Sequence, residues 1–198
     1  MKTLLIVDVQ YDFLPGGALA VSNGDQIIPF INSILDQYEL ILATQDWHPF
    51  DHVSFASNHD NKKPGEMIKL NGLDQILWPV HCVQNSYGAE FADELKSEKI
   101  NKVFQKGTDI SIDSYSGFFD NGKKKSTGLH DFLQSKNVSE LDIVGLATDY
   151  CVKFTSLDAA DLGYRVNVLR DGVRAVNLNP EDEINAFEIM ETKGIKIL

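Results

Sequence analysis

One of the two cysteines in the chain, Cys151, stands where a thiol can react. It follows Ala147-Thr148-Asp149-Tyr150 and opens a segment in which Val152, Thr155, Ala159 and Leu162 recur at the spacing of one helical face. A thiol at a helix N-terminus meets free N–H groups and the positive end of the helix dipole, which favour thiolate and predict a lowered pKa. A lone cysteine is ordinarily a buried structural thiol. Asp8 interrupts the apolar run Leu4-Leu5-Ile6-Val7, and a carboxylate at the inner end of a strand costs several kcal/mol unless a cation or a proton compensates it. Lys106 is the candidate cation, in a structural ion pair or a functional one. Asp46 and His48 are two apart, so in an extended segment both side chains face one way, as two ligands of one metal would. His52 and His81 bring the set to one carboxylate and up to three imidazoles, suited to Zn, Fe or Mn. His59 and His130 read as ordinary hydrogen-bonding histidines.

Short runs rich in Leu, Ile and Val must position these residues. They span Thr3 to Val9, Glu39 to Thr44, Lys102 to Gln105, Leu141 to Leu146, Arg165 to Leu169 and Ile195 to Leu198, and read as buried strands. Helical stretches fall at Gln26 to Gln37, Ala89 to Lys96, Gly128 to Lys136, Cys151 to Leu162 and Glu181 to Lys193. Gly163, Gly194 and Pro180 suit their ends. Alternation of strand and helix predicts an α/β fold with a central parallel sheet of about six strands and helices on both faces. The stretch from Gln45 to Tyr87 breaks the pattern and reads as a functional insertion without regular structure. Residues 1–198 are expected to form a single domain around that insertion.

In such a sheet, ligands bind beyond the carboxyl ends of the strands. Asp8, Asp46, Lys106 and Cys151 each fall at or just past the end of a successive strand, so all four meet at one rim. That placement favours a reactive Cys151 over a structural one. A formal net charge of -11 opposes nucleic acid and anionic membranes as partners, and Lys123-Lys124-Lys125 reads as a solvated loop tip. The apolar start is too short for a signal or a membrane span, which predicts a cytoplasmic location, and the two cysteines are expected to be free thiols.

Five blocks, Val7-Asp8-Val9-Gln10 with Asp12-Phe13, Asp46-Trp47-His48-Pro49, Trp78-Pro79-Val80-His81-Cys82, Lys106-Gly107 and Gly145 through Val152, resemble the nicotinamidase branch of the isochorismatase-like cysteine hydrolases. The resemblance implies a three-layer α/β/α sandwich and hydrolysis of nicotinamide, and of pyrazinamide, feeding NAD salvage. It makes Asp8 the general base, Cys151 the nucleophile, and Lys106 the cation that keeps Asp8 ionised and favours the thiolate. Asp46, His48 and His81 match the ligands of one divalent metal, zinc first with iron or manganese as alternatives. His52 matches a neighbour that ligates in only some members. Phe13, Trp78 and Tyr115 match the ring pocket, with Leu146 beside them. Leu146-Ala147 matches a cis peptide that lets the N–H groups of Ala147 and Cys151 form an oxyanion hole. The implied partner is a small carboxamide, with a homo-oligomer left open. A metal-independent hydrolase of the family and a non-catalytic metal-binding scaffold stay open as alternatives. Tyr11 and Gly117 depart from the commoner Asn and Ala of the motifs.

Overall fold

Strand β1 (Thr3–Val7) is apolar on both faces. Leu4 and Ile6 point to one side and Leu5 and Val7 to the other, and all four are fully buried, so both faces of the sheet need a cover. The computed structural model, which describes residues 1–198, supplies it. In chain order the elements are β1, α1 (Ile27–Ile34), β2 (Leu40–Asp46), β3 (Met67–Leu70), β4 (Leu73–Ile76), β5 (Lys102–Lys106), α2 (Leu129–Ser135), β6 (Glu140–Leu146), α3 (Lys153–Asp161), β7 (Arg165–Arg174), α4 (Asp182–Thr192) and β8 (Lys196–Ile197).

Six strands form one sheet in the order β5-β2-β1-β6-β7-β8, and every pairing is parallel. Ile27, Ile28 and Ile31 of α1 pack on the face that carries Leu4 and Ile6. Leu133 of α2, Ala159 of α3, and Phe187 and Met190 of α4 pack on the face that carries Leu5 and Val7. This is the expected α/β/α sandwich. From β1 the chain proceeds outward through β2 to β5, then returns to β6 on the other flank of β1. The carboxyl ends of β1 and β6 therefore flank the switch point where an open parallel sheet leaves a crevice. Gly145 makes the close approach there feasible: its φ is +119°, and a Cβ would lie 2.0 Å from the Val7 carbonyl oxygen.

Three expectations need correction. Residues 89–96 form no helix, because the Ala92 N–H donates to the Val9 carbonyl (3.1 Å) and the Glu90 carbonyl accepts from Tyr11 N–H (3.1 Å). Pairing with the chain beyond β1 overrides local helix propensity. The insertion contains a hairpin, β3 and β4, turning at Asn71-Gly72 with φ of +51° and +83°, the left-handed pair that this dipeptide favours. β7 runs on to Arg174 past an irregularity in its register opposite Ile143 and Gly145. No helix is long and apolar enough to cross a membrane.

Candidate active site

Asp8 sits one residue past β1 with a left-handed φ of +49°, a conformation that aspartate tolerates better than most residues. Its carboxylate is fully buried, with Oδ1 accepting the Thr44 hydroxyl at 2.6 Å and Oδ2 lying 2.9 Å from Lys106 Nζ. Oδ2 has no aligned hydrogen bond. Lys106, the last residue of β5, reaches inward to Asp46 Oδ1 (2.5 Å) and to the Ser114 carbonyl (3.0 Å), and its Nζ lies 3.4 Å from Cys151 Sγ. Carboxylate oxygens of Asp8 and Asp46 and the Cys151 sulfur lie within 4.8 Å of one another. The four strand-end residues thus converge at one point. Cys151 is borne on a π-helical turn, Thr148–Val152, that leads into α3.

Burial governs the charges. It raises the Cys151 thiol well above the ordinary cysteine value; Lys106 opposes it, while Asp8 and Asp46 reinforce it. The lowered thiol pKa expected from the helix start is therefore not found, because desolvation outweighs the dipole and the cation. Burial also raises Asp8, with the charge of Asp46 adding to it and Lys106 and Thr44 partly offsetting it. Asp46 behaves oppositely: burial acts upward, yet Lys106 and His48 hold it well below the usual carboxylate range. Lys106, penalised by burial, is nonetheless held well above its ordinary value by Asp46 and Asp8. The buried cation compensates two carboxylates, and Asp46 is the one it keeps most firmly ionised.

Beside this group, His48 Nε2 lies 3.5 Å and His81 Nε2 3.8 Å from Asp46 Oδ2. Ligands at about 2.0–2.1 Å in a tetrahedral shell stand roughly 3.4 Å apart, so these donors fit one divalent ion. Their other ring nitrogens are fixed by backbone carbonyls, His48 Nδ1 on Gly107 (3.0 Å) and His81 Nδ1 on Pro79 (2.8 Å), the outer-shell arrangement that turns Nε2 toward a metal. Gly107 must lack a side chain: at φ +65°, a Cβ would meet His48 Cε1 at 2.3 Å. His52 stands apart from the Asp46 set. Its Nδ1 pairs with Ser54 Oγ (2.7 Å) and its Nε2 faces the Ile112 carbonyl (3.3 Å), and it groups instead with His48 and Asp113.

Between the two clusters opens a narrow cavity whose walls include Phe13, Trp78, Tyr115, Ala147 and Cys151. Leu146 does not join them: its side chain is fully buried in the core against Gly24, because alternation along β6 turns it away from the crevice. Leu19, Asp113, Tyr150 and Val176 also line the cavity and were not anticipated. Tyr150 is readable in hindsight as the neighbour of Cys151. Val176 has no such signal, for its segment is secured by Asp149, whose carboxylate accepts the N–H groups of Val176 (3.0 Å) and Asn177 (2.9 Å). The Leu146–Ala147 peptide is cis, as the motif implies. The Ala147 N–H makes no backbone hydrogen bond.

The isochorismatase domain model matches residues 2–198. The chain belongs to the isochorismatase family. Within that family it is 49% identical over 197 residues to the nicotinamidase of Escherichia coli (strain K12), spanning 98% of this chain and 92% of that one. A solved nicotinamidase/pyrazinamidase structure from Acinetobacter baumanii superposes with a TM-score of 0.97 at 40% identity, covering 100% of this chain and 95% of the other. A Pyrococcus horikoshii pyrazinamidase structure in complex with zinc gives a TM-score of 0.80 at 39% identity, covering 100% and 98%.

Proposed function

We propose that this isochorismatase-family protein is a nicotinamidase that hydrolyses nicotinamide, and pyrazinamide, to the carboxylate and ammonia through a Cys151 thioester. One observation carries the reading: the Cys151 sulfur lies 3.4 Å from a buried ammonium and beside a carboxylate oxygen with no aligned hydrogen bond, at the wall of a cavity lined by aromatic rings. Residues 1–198 are read as one domain, because both hydrophobic clusters pack on the same sheet.

Since burial keeps the resting thiol protonated, nucleophilic attack needs a base at hand. Asp8 takes the Cys151 proton on Oδ2, and Lys106 stabilises the resulting thiolate. The sulfur adds to the carboxamide carbon, and the oxyanion accepts hydrogen bonds from the N–H groups of Ala147 and Cys151. Asp8 returns its proton to the leaving nitrogen, and ammonia departs. Asp8 then takes a proton from the water that attacks the thioester, and the carboxylate leaves as the thiol is restored. Phe13, Trp78 and Tyr115 hold the ring. Asp46, His48 and His81 would hold the divalent ion, zinc before iron or manganese, which would supply a Lewis acid for the ring nitrogen.

Cys151→Ala is expected to reduce ammonia release from nicotinamide by at least about 10³-fold, while metal content and thermal unfolding stay at the wild-type level. Turnover retained in that variant would remove the nucleophile assignment. Turnover unaffected by thorough chelation would favour a metal-independent amidase of the same family.

A further inference from the structure

Strand β2 outruns its neighbour. The β1–β2 pairing ends at Val7 and Thr44, because β1 leaves the sheet at Asp8, where the left-handed φ of +49° turns the chain aside, whereas β2 continues to Asp46. Toward β5 this end of β2 is bonded through Trp47, whose N–H donates to the Lys106 carbonyl at 2.9 Å. The N–H and C=O of Asp46 face the other way, into the place β1 has vacated, and buried backbone groups there need partners. The fully buried side chain of Gln10 serves both: its Oε1 accepts the Asp46 N–H at 2.8 Å, and its Nε2 donates to the Asp46 carbonyl at 2.8 Å. The other Nε2 proton goes to the Ala89 carbonyl, also at 2.8 Å. Two protons meet two carbonyls and the oxygen meets an N–H, so the amide has one orientation only. The turn that carries Asp8 into the crevice thus strips Asp46 of its strand partner, and Gln10, two residues on, replaces it.

We infer that Gln10 is a positioning residue: its amide stands in for the missing strand, fixes the Asp46 backbone, and so sets the aim of the Asp46 carboxylate and the affinity of the site for its ion. The ion is that of the proposed function, on which the inference rests. Aim matters at Asp46 because its two oxygens serve different partners, Oδ1 the Lys106 ammonium at 2.5 Å and Oδ2 the His48 and His81 Nε2 atoms at 3.5 and 3.8 Å. Without the amide, one N–H and the Asp46 carbonyl are left buried and unpaired, and the strand end shifts to find other partners.

The test compares two clamps on one strand. At the opposite end of β2 from the crevice, Asn101 Oδ1 accepts the Ile41 N–H at 2.7 Å, a side-chain bond to strand backbone of the same kind. Full-length wild type, Gln10→Met, Gln10→Asn and Asn101→Ala are loaded with Co²⁺, whose visible absorption reports occupancy, and dialysed against a graded chelator; urea unfolding of the same samples records stability. Gln10→Met keeps the bulk without the hydrogen bonds, and Gln10→Asn keeps the amide but, one methylene short, does not span both Asp46 groups. Each is expected to hold Co²⁺ at least about tenfold more weakly than wild type, the scale of a lost outer-shell partner. Asn101→Ala should keep wild-type affinity, whatever stability it loses. Wild-type affinity in a folded Gln10 variant, or an equal loss in Asn101→Ala, overturns the inference; so does failure of both Gln10 variants to fold, which would make the amide a requirement of the fold alone. A wild type that takes up no Co²⁺ refutes the ion of the proposed function and the role of Gln10 with it, and is told apart from the other failures because they leave wild-type binding intact.

Discussion

The two halves of the crevice are built by different means. Asp8, Asp46, Lys106 and Cys151 stand at or just past strand ends, and there side chain meets side chain: one ammonium contacts two carboxylates and a sulfur. His48 and His81 stand on irregular chain, and carbonyls aim their rings, those of Gly107 and Pro79. Buried charges need mutual compensation, and a regular sheet delivers them to a common depth. The proposed metal ligands need direction more than compensation, and irregular backbone can supply a carbonyl at whatever angle the ring requires. Asp46 belongs to both halves, giving one oxygen to Lys106 and turning the other toward the imidazoles.

Lys106 and Gly107 are neighbours in sequence but serve opposite halves, which makes them the sharpest probes of this division. Lys106→Met should have the largest effect. It leaves Asp8 and Asp46 buried with no ammonium between them, and breaking a buried pair in this way costs about 3–5 kcal/mol. Urea unfolding measures the loss. A change below about 1 kcal/mol would show that the charge cluster does not depend on its cation.

Gly107→Ala should act on the other half. The added methyl overlaps the His48 ring, and the left-handed backbone penalises any side chain, so stability falls by about 1–2 kcal/mol. Displacing His48 removes both its aim and its carbonyl partner, and metal affinity is expected to fall about 10- to 100-fold. Metal retained after dialysis against a graded chelator reads this directly. If the variant lost stability on the scale of Lys106→Met yet kept its metal, the two halves would not be separable.

What the sequence revealed follows the same division. Asp8, Asp46, Lys106 and Cys151 were legible because parallel strands are short apolar runs, and a polar residue at the end of each stands out against them. The depth of burial was not legible, so the thiol pKa was anticipated in the wrong direction. The failed helix at 89–96 shows the same limit, since the segment beyond β1 that claims its backbone lies some eighty residues earlier. Gln75, Asp113 and Val176 enter the site through long-range hydrogen bonds that no local pattern encodes. The Asn71-Gly72 turn, by contrast, was a readable hairpin signal within the insertion.

The smallest predicted effect concerns Thr44 on β2, whose hydroxyl donates to Asp8 Oδ1 across the β1–β2 pairing. Burial raises the Asp8 carboxyl, and this hydrogen bond partly restrains the rise. In the proposed mechanism Asp8 must be ionised to accept the thiol proton, so kcat/KM should fall as pH drops through a value above the roughly 3.9 of an ordinary aspartate. Thr44→Val removes a bond to the ionised form and should move that acid limb to higher pH by about one unit, whereas Thr44→Ser should return it. Stability carries the matching sign. With the folded pKa raised, the contribution of protonated Asp8 is fully present below the unfolded value and lost as pH rises through the folded one. The deficit of Thr44→Val relative to wild type should therefore widen from acid toward neutral pH, as Asp8 ionises. An acid limb that does not move would mean that the sheet-borne half is set by Lys106 and burial alone, without help from the neighbouring strand.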